Sequence, residues 1–236
     1  MRDVELSLQH SIEFILKISG MTVIKSYCAN QIKKHLYEIQ VIRRKLKRKK
    51  PKSLAKNIIW AKDLTTVTDT HKSQHKVIGI VNHGYRSCLS LQHLPTATSI
   101  TILRALFNAI ELYGKPKYLR TDNERIFTSR LFRFSLRLLG IKHQRSMVCC
   151  PWQNGRVERF FGTFKERINQ VVIESAAQLT TALPEYHFWY NHIRPHDNLA
   201  GYTPAEVWNN KSAGLKNKPT LFYEWDGVLS GYSFQT

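Results

Sequence analysis

The chain has 236 residues, with 36 Lys and Arg against 17 Asp and Glu, a net charge of +19. A surplus this large argues for a polyanionic partner, either nucleic acid or an anionic membrane. No apolar run approaches a membrane span, and the start, MRDVELSLQHSIEFILKISG, has an acidic pair where a signal peptide would be basic. That leaves nucleic acid in a cytoplasmic setting, with no membrane, as the expected partner class. Cys28, Cys88, Cys149 and Cys150 lack C-x-x-C spacing. They read as free thiols in a reducing compartment, without a structural zinc site.

Residues 1 to about 40 read as helical. SIEFILKIS is amphipathic, ISGMT is a turn, and helical spacing resumes through Ile24, Tyr27, Ile32, Leu36 and Ile39. The outline fits a helix-turn-helix or a plain helical hairpin. RRKLKRKKPKSLAK follows from Arg43 to Lys56. Its density of charge between two segments suggests a phosphate-binding arm carried by Arg43, Arg44, Lys45, Lys47, Arg48, Lys49 and Lys50.

From Asn57 the texture changes. NIIWAKDLTTV reads as a strand, and HKVIGIVNHGYRSCLSLQHL as two strands joined across Asn82-His83-Gly84. SITILRALFNAIELYG is an amphipathic helix stopped by Gly114. KYLRT is a short strand ending at Asp122-Asn123. TSRLFRFSLRLLG is a helix capped by Thr128 or Ser129 and stopped at Gly140, and IKHQRS is a fifth strand. In the next helix Val157, Phe160, Phe161, Phe164, Ile168, Val171 and Val172 fall within about 60° either side of one direction. Glu158 lies at the edge of that stripe, with Asn154 one turn before it and Lys165 two turns after it. The order βββαβαβα predicts an α/β fold, a mixed sheet flanked by helices. A mainly helical stretch follows, with breaks expected at Pro184, Pro195 and Pro204, and a terminal hairpin around Asp226-Gly227.

Three carboxylates stand out. Asp63 lies mid-strand, where aspartate is disfavoured unless the strand is an edge and the side chain points outward. Asp122 lies at the C-terminal end of the fourth strand, a common place for sheet-based active sites and equally for a turn. Glu158 has the alternative of a surface ion pair with Arg159 or Lys165. Together, two Asp and a Glu in a nucleic-acid protein suit hard divalent cations. A pair of such ions about 4 Å apart serves in-line phosphoryl displacement.

WAKDLT, LRTDNERIF and PWQNGRVERFFGTFK resemble the three blocks of the DDE integrase and transposase core. Thirty-five residues separate Asp122 from Glu158, an interval that this resemblance shares. YNHIRPHDNLAGYTPAEVW is similar to the segment that follows the core in bacterial insertion-sequence transposases, and the resemblance covers roughly Asn57 to Asn210. It implies a ribonuclease-H-like fold with a mixed five-stranded sheet, preceded by a short helical DNA-binding segment. The implied organisation is a partial helix-turn-helix-like segment over 1–42, a basic linker over 43–56, a catalytic core with a helical extension over 57–210, and a tail over 211–236.

The resemblance further implies that Asp63, Asp122 and Glu158 are both the catalytic residues and the ligands of two Mg²⁺ ions, for which Mn²⁺ would substitute. Asp63 would bridge the two, with Asp122 and Glu158 completing one site each. Water would cut the strand at the end of a mobile element, and the freed 3′-OH would attack target DNA. Lys165 and Asn154 are assigned to DNA contact on the Glu158 helix edge. The expected partners are double-stranded DNA, further copies of the chain on that DNA, and a separate upstream DNA-recognition protein. The expected setting is the bacterial cytoplasm, at the nucleoid. Glu124 stands where the family often has Gly, and no His-His-Cys-Cys zinc domain is present. The competing readings are a truncated, inactive transposase that only binds DNA, and a plain RNA–DNA hybrid nuclease. The interval and the RPH-containing segment argue against the nuclease.

Overall fold

The computed structural model describes residues 25–35, 54–146, 155–210 and 219–233. The first of these stretches belongs to a separate unit and carries one helix, α1 (Lys25–Lys34). The other residues of the expected helix-turn-helix, and the whole basic run Arg43–Lys50, lie outside the described residues.

The second unit is built on a five-stranded sheet of β1 (Ile59–Thr68), β2 (Gln74–Asn82), β3 (Cys88–Leu94), β4 (Tyr118–Thr121) and β5 (Lys142–Arg145). Its spatial order is β3-β2-β1-β4-β5. The first three strands are antiparallel neighbours, while β4 and β5 run parallel to β1. β1 is therefore the central strand, which removes the edge-strand explanation of Asp63. The β2–β3 tip turns where expected, because the Asn82 side-chain oxygen accepts from the N–H groups of Gly84 and Tyr85, both at 2.9 Å.

Alternation along β1 divides the core. Trp60 and Lys62 point to one face, which is covered by α2 (Ser99–Tyr113), the single turn α3 (Arg125–Thr128) and α4 (Arg130–Leu138). Ala61 and Val67 point to the other, covered by α5 (Gly155–Ile168) and α6 (Ala176–Phe188). Caps stop these helices as their sequences suggest. Gly114 closes α2 at φ 83°, and the Ser129 hydroxyl accepts from Phe132 N–H at the start of α4.

The α5 stripe packs against β2. Val157, Phe160, Phe161, Phe164 and Ile168 are all buried. Val172 is not part of the stripe: it is 64% exposed, because α5 ends at Ile168 and the chain turns away. Phe161 reaches the sheet only because Gly79 has no side chain. A Cβ there would lie 2.6 Å from the tip of Phe161 and 3.1 Å from Phe160. Gly79→Ala is expected to cost about 1–3 kcal/mol through overpacking, read as a lower urea midpoint with an unchanged m-value. An unchanged midpoint would mean that α5 is free to shift outward.

Pro184 does not break its helix as expected but lies inside α6. The lost N–H costs one backbone hydrogen bond, and buried Leu183 and Tyr186 on either side hold the helix on course. A π turn, Trp189–Ile193, follows directly, closed by Arg194 N–H to Trp189 O at 2.9 Å. It turns Asn191 inward, where the amide satisfies both backbone groups of Cys88 on edge strand β3, at 2.9 and 2.7 Å. Pro204 begins a short helix, α7 (Pro204–Trp208), instead of ending one. The terminal hairpin forms as β6 (Thr220–Glu224) and β7 (Leu229–Ser233). It packs onto α6 and the π turn through Trp225 Nε1–Glu185 (2.7 Å) and Trp189 Nε1–Ser230 O (3.1 Å).

Candidate active site

The parallel register of β1 and β4 pairs Ala61 with Arg120. The ladder ends there: Asp63 lies two residues beyond Ala61 on β1, and Asp122 two beyond Arg120, just past the end of β4. Asp63 shares the α5 face of the sheet with Ala61 by strand alternation, and it feels the charges of Asp122 and Glu158. Asp63 also pairs with Gly79 on β2, the residue against which Phe161 packs. The packing that fixes α5 to the sheet is therefore at the level of Asp63. Glu158, three residues before Phe161, emerges exposed from the flank of the buried stripe.

Asp63 and Asp122 are half-buried. Asp63 Oδ1 accepts from Leu64 N–H at 2.8 Å, and Asp122 Oδ1 accepts from Glu124 N–H at 3.1 Å. Burial pushes the Asp63 carboxyl up to about 6, against the single backbone hydrogen bond, and the charges of Asp122, Glu124 and Glu158 push the same way. Glu124 is likewise held above the usual carboxylate range by burial and by Asp122. Glu124 thus adds a fourth negative charge to the neighbourhood. Among the described residues Glu158 makes no ion pair, so the pairs with Arg159 and Lys165 do not form.

The loop bearing Asp122 is tied down from behind. The Thr121 hydroxyl contacts His143 Nε2 at 2.9 Å and donates to Asp122 O at 2.8 Å, while Asn123 Nδ2 donates to Ser146 O at 2.8 Å. On the opposite face of β1 Lys62 is completely buried. Its Nζ lies 4.1 and 4.2 Å from the ring centres of Phe127 and Phe132 and has no hydrogen-bond partner. Burial pushes its pKa well down, with Asp122 and Glu124 pulling the other way. A lysine next to Asp63 in a central strand has opposite parity and must enter the core, a signal the sequence carries.

Among the described residues, no three carboxylates stand close enough to hold an ion as placed. The donor chemistry nevertheless fits a hard divalent cation. Asp63, Asp122 and Glu158 supply only carboxylate oxygens, the charges of the other two help to raise Asp63, and no protein cation pairs with them among the described residues. Asn154 lies outside the described residues, and Lys165 is exposed on α5 two turns beyond Glu158.

A carboxylate raised in the folded state costs stability once it ionises. The cost is absent below about 4, grows as pH rises towards 6, and persists above. Asp63→Asn is therefore expected to stabilise the metal-free protein at pH 8 by about 1–3 kcal/mol and to have little effect at pH 4. Thermal melts with chelator check this. Equal melting temperatures at pH 8 would mean that burial and the neighbouring carboxylates do not disfavour the ionised Asp63.

Residues 139–204 match the family model described as an integrase core domain. Over 167 residues the chain is 28% identical to an uncharacterized 39.2 kDa protein of insertion element IS476 from Xanthomonas euvesicatoria, covering 70% of this chain and 48% of that protein. It is 25% identical over 171 residues to a 31.7 kDa protein of insertion element IS407 from Burkholderia multivorans, covering 72% and 61%. The chain thus spans about half to three-fifths of these relatives. The catalytic core domain of human T-cell leukemia virus 2 integrase, solved with magnesium, aligns with a TM-score of 0.56 and 25% identity over 66% of this chain and 99% of that one.

Proposed function

We propose that the chain is a transposase of the DDE integrase and transposase family, which cuts and joins DNA strands to insert a mobile element; its similarity to an integrase core domain, to insertion-element proteins and to a retroviral integrase core supports this. The observation that supports this reading is the parallel pairing of β1 with β4, beyond which Asp63 and Asp122 follow at the same offset, with Asp63 also feeling the charge of Glu158.

In this reading Asp63, Asp122 and Glu158 hold divalent metal, with magnesium as the physiological ion. The HTLV-2 integrase core, which this chain resembles, was solved with it. Bound there, magnesium supplies charge stabilisation to the attacking and leaving oxygens of a phosphoryl displacement. The protein's own part is placement. Asp63 is fixed by a central strand, Asp122 by the Thr121–His143 and Asn123–Ser146 hydrogen bonds, and Glu158 by a helix clamped to the sheet. The basic run Arg43–Lys50 binds backbone phosphates of duplex DNA. Several copies assemble on the DNA so that two ends are joined together, in the bacterial cytoplasm at the nucleoid. A separate upstream protein contributes to recognition of the element's ends. Joining of a labelled 3′-OH duplex end to plasmid DNA, with the chain alone and with upstream partners, tests the reading. Cutting of RNA–DNA hybrid without any joined product would replace it with the nuclease.

Lys165 serves the same edge. It lies about 10 Å along the helix from Glu158 and faces solvent, placed to meet the nucleotides beside the reacting phosphate. Lys165→Ala is expected to reduce end-joining at least ~10-fold, the worth of one charge-assisted hydrogen bond, while binding to random duplex falls far less. Equal reductions in both assays would make it a general phosphate ligand.

A further inference from the structure

The flank of α5 opposite Glu158 carries a second concentration of charge. Arg156, Arg159 and Thr163 follow one another at helical spacing on that flank. Together with Arg86 from the β2–β3 tip and Arg194 from the end of the π turn they line a cavity of about 90 Å³. Four guanidinium groups thus face one carboxylate, Asp197, and among the described residues none of them is in an ion pair.

The placement is built into the fold. Arg86 is held at φ 60°, a left-handed conformation that costs an arginine about 1–2 kcal/mol. Arg194 is fixed over the rings of Trp189 and Tyr190, at 6.0 and 5.8 Å. Arg156 Nη1 is buried without a hydrogen-bond partner. The inner wall is Tyr190 and His196, both buried. Among the described residues Arg194 Nη1 reaches only the His196 ring, at 3.4 Å, and guanidinium groups of like charge around one cavity, one of them with a buried unpaired donor, are unfavourable until an anion enters.

We propose that this cavity is a phosphate-binding site, distinct from the carboxylate edge. A guanidinium fork matches phosphate oxygens in pairs, and several forks converging on one point suit a tetrahedral oxyanion better than a planar carboxylate. The cavity is well below the roughly 300 Å³ at which pockets enclose whole small molecules, so it takes one phosphate group and no base. The electrostatics agree. Arg156 is pushed down to about 10 by burial, then by Arg86 and Arg120, and His196 to about 4 by burial, then by Arg194. The imidazole is neutral there and does not compete for the anion.

Resting on the DNA-joining reading above, the phosphate belongs to a DNA backbone held on the far flank of α5, about one helix diameter from the reacting one. A free phosphate compound would use the same chemistry. The test separates the two sources, using the full chain without divalent metal. Inorganic phosphate at millimolar concentration is expected to raise the Tm above that in sodium chloride of equal ionic strength. Arg86→Gln/Arg156→Gln should abolish this rise. Exposed Arg159→Gln should reduce it, and provides the measurement if the double variant does not fold. Identical responses of wild type and variants, including none at all, overturn the site. In the second arm a short random duplex is titrated at several salt concentrations. A log–log slope smaller by about 0.9 for each backbone phosphate that the variant no longer neutralises assigns the phosphate to DNA. An unchanged slope, in a variant that has stopped responding to inorganic phosphate, overturns that assignment and makes a free phosphate compound the ligand. Neither arm requires strand cutting, so failure here and failure of the joining reaction are read independently.

Discussion

Asp122→Asn is expected to abolish strand cutting and joining while leaving duplex binding within about twofold of wild type, and Asp63→Asn and Glu158→Gln should do the same. Each change removes one charge at nearly constant volume from a group of carboxylates that Asp63 feels directly. Metal-assisted stabilisation of a phosphoryl transition state is worth several kcal/mol, so a loss of ~10³-fold or more follows. Binding survives because the basic run and Lys165 are untouched. Wild-type joining by Asp122→Asn would sink the assignment of this carboxylate. Of the three, Asp63→Asn should be the most stable protein at pH 8 even as it is inactive, since it relieves the carboxylate that burial disfavours most.

Phe160→Ala is expected to cost about 3–5 kcal/mol, the range for emptying an aromatic site in a packed core. The ring is 1% exposed and meets Phe161, Tyr186 and Tyr190 at centroid distances of 5.2, 6.0 and 4.9 Å. It therefore joins α5 to α6 and the π turn as well as to the sheet. Joining activity should fall even where the variant remains folded, because Glu158 depends on the same helix for its position. Chemical denaturation and the joining assay, both at low temperature, check the two effects. A destabilised variant with undiminished activity would show that Glu158 finds its place without this packing.

The sheet could be read from sequence because its signals are local. The Asn82-His83-Gly84 tip, the stop at Gly114, the cap at Ser129 and the apolar stripe of α5 each follow from a few neighbouring residues. The three carboxylates stand out by residue type, spacing and family resemblance. Features that need distant partners do not. Pro184 reads as a break, and only burial of Leu183 and Tyr186 keeps the helix running. The π turn has no periodic signature, since its reason is the Asn191 amide bonding to Cys88 across the fold. The arginine cavity draws on the β2–β3 tip, α5 and the segment after the π turn. In sequence its members are ordinary basic residues of a basic chain. Val172 illustrates the converse, because helical spacing carried one turn too far assigns to the core a side chain that is exposed.

The central claim is that Asp63, Asp122 and Glu158 share divalent metal on the α5 flank. Ferrous ion in place of magnesium, with peroxide and ascorbate, cuts a polypeptide next to where the ion binds, and the fragments locate it. Cuts confined to the segments around residues 63, 122 and 158, suppressed by excess magnesium and lost in Asp122→Asn, are the result this account predicts. Cuts clustered elsewhere, or a pattern that Asp122→Asn leaves unchanged, would contradict it.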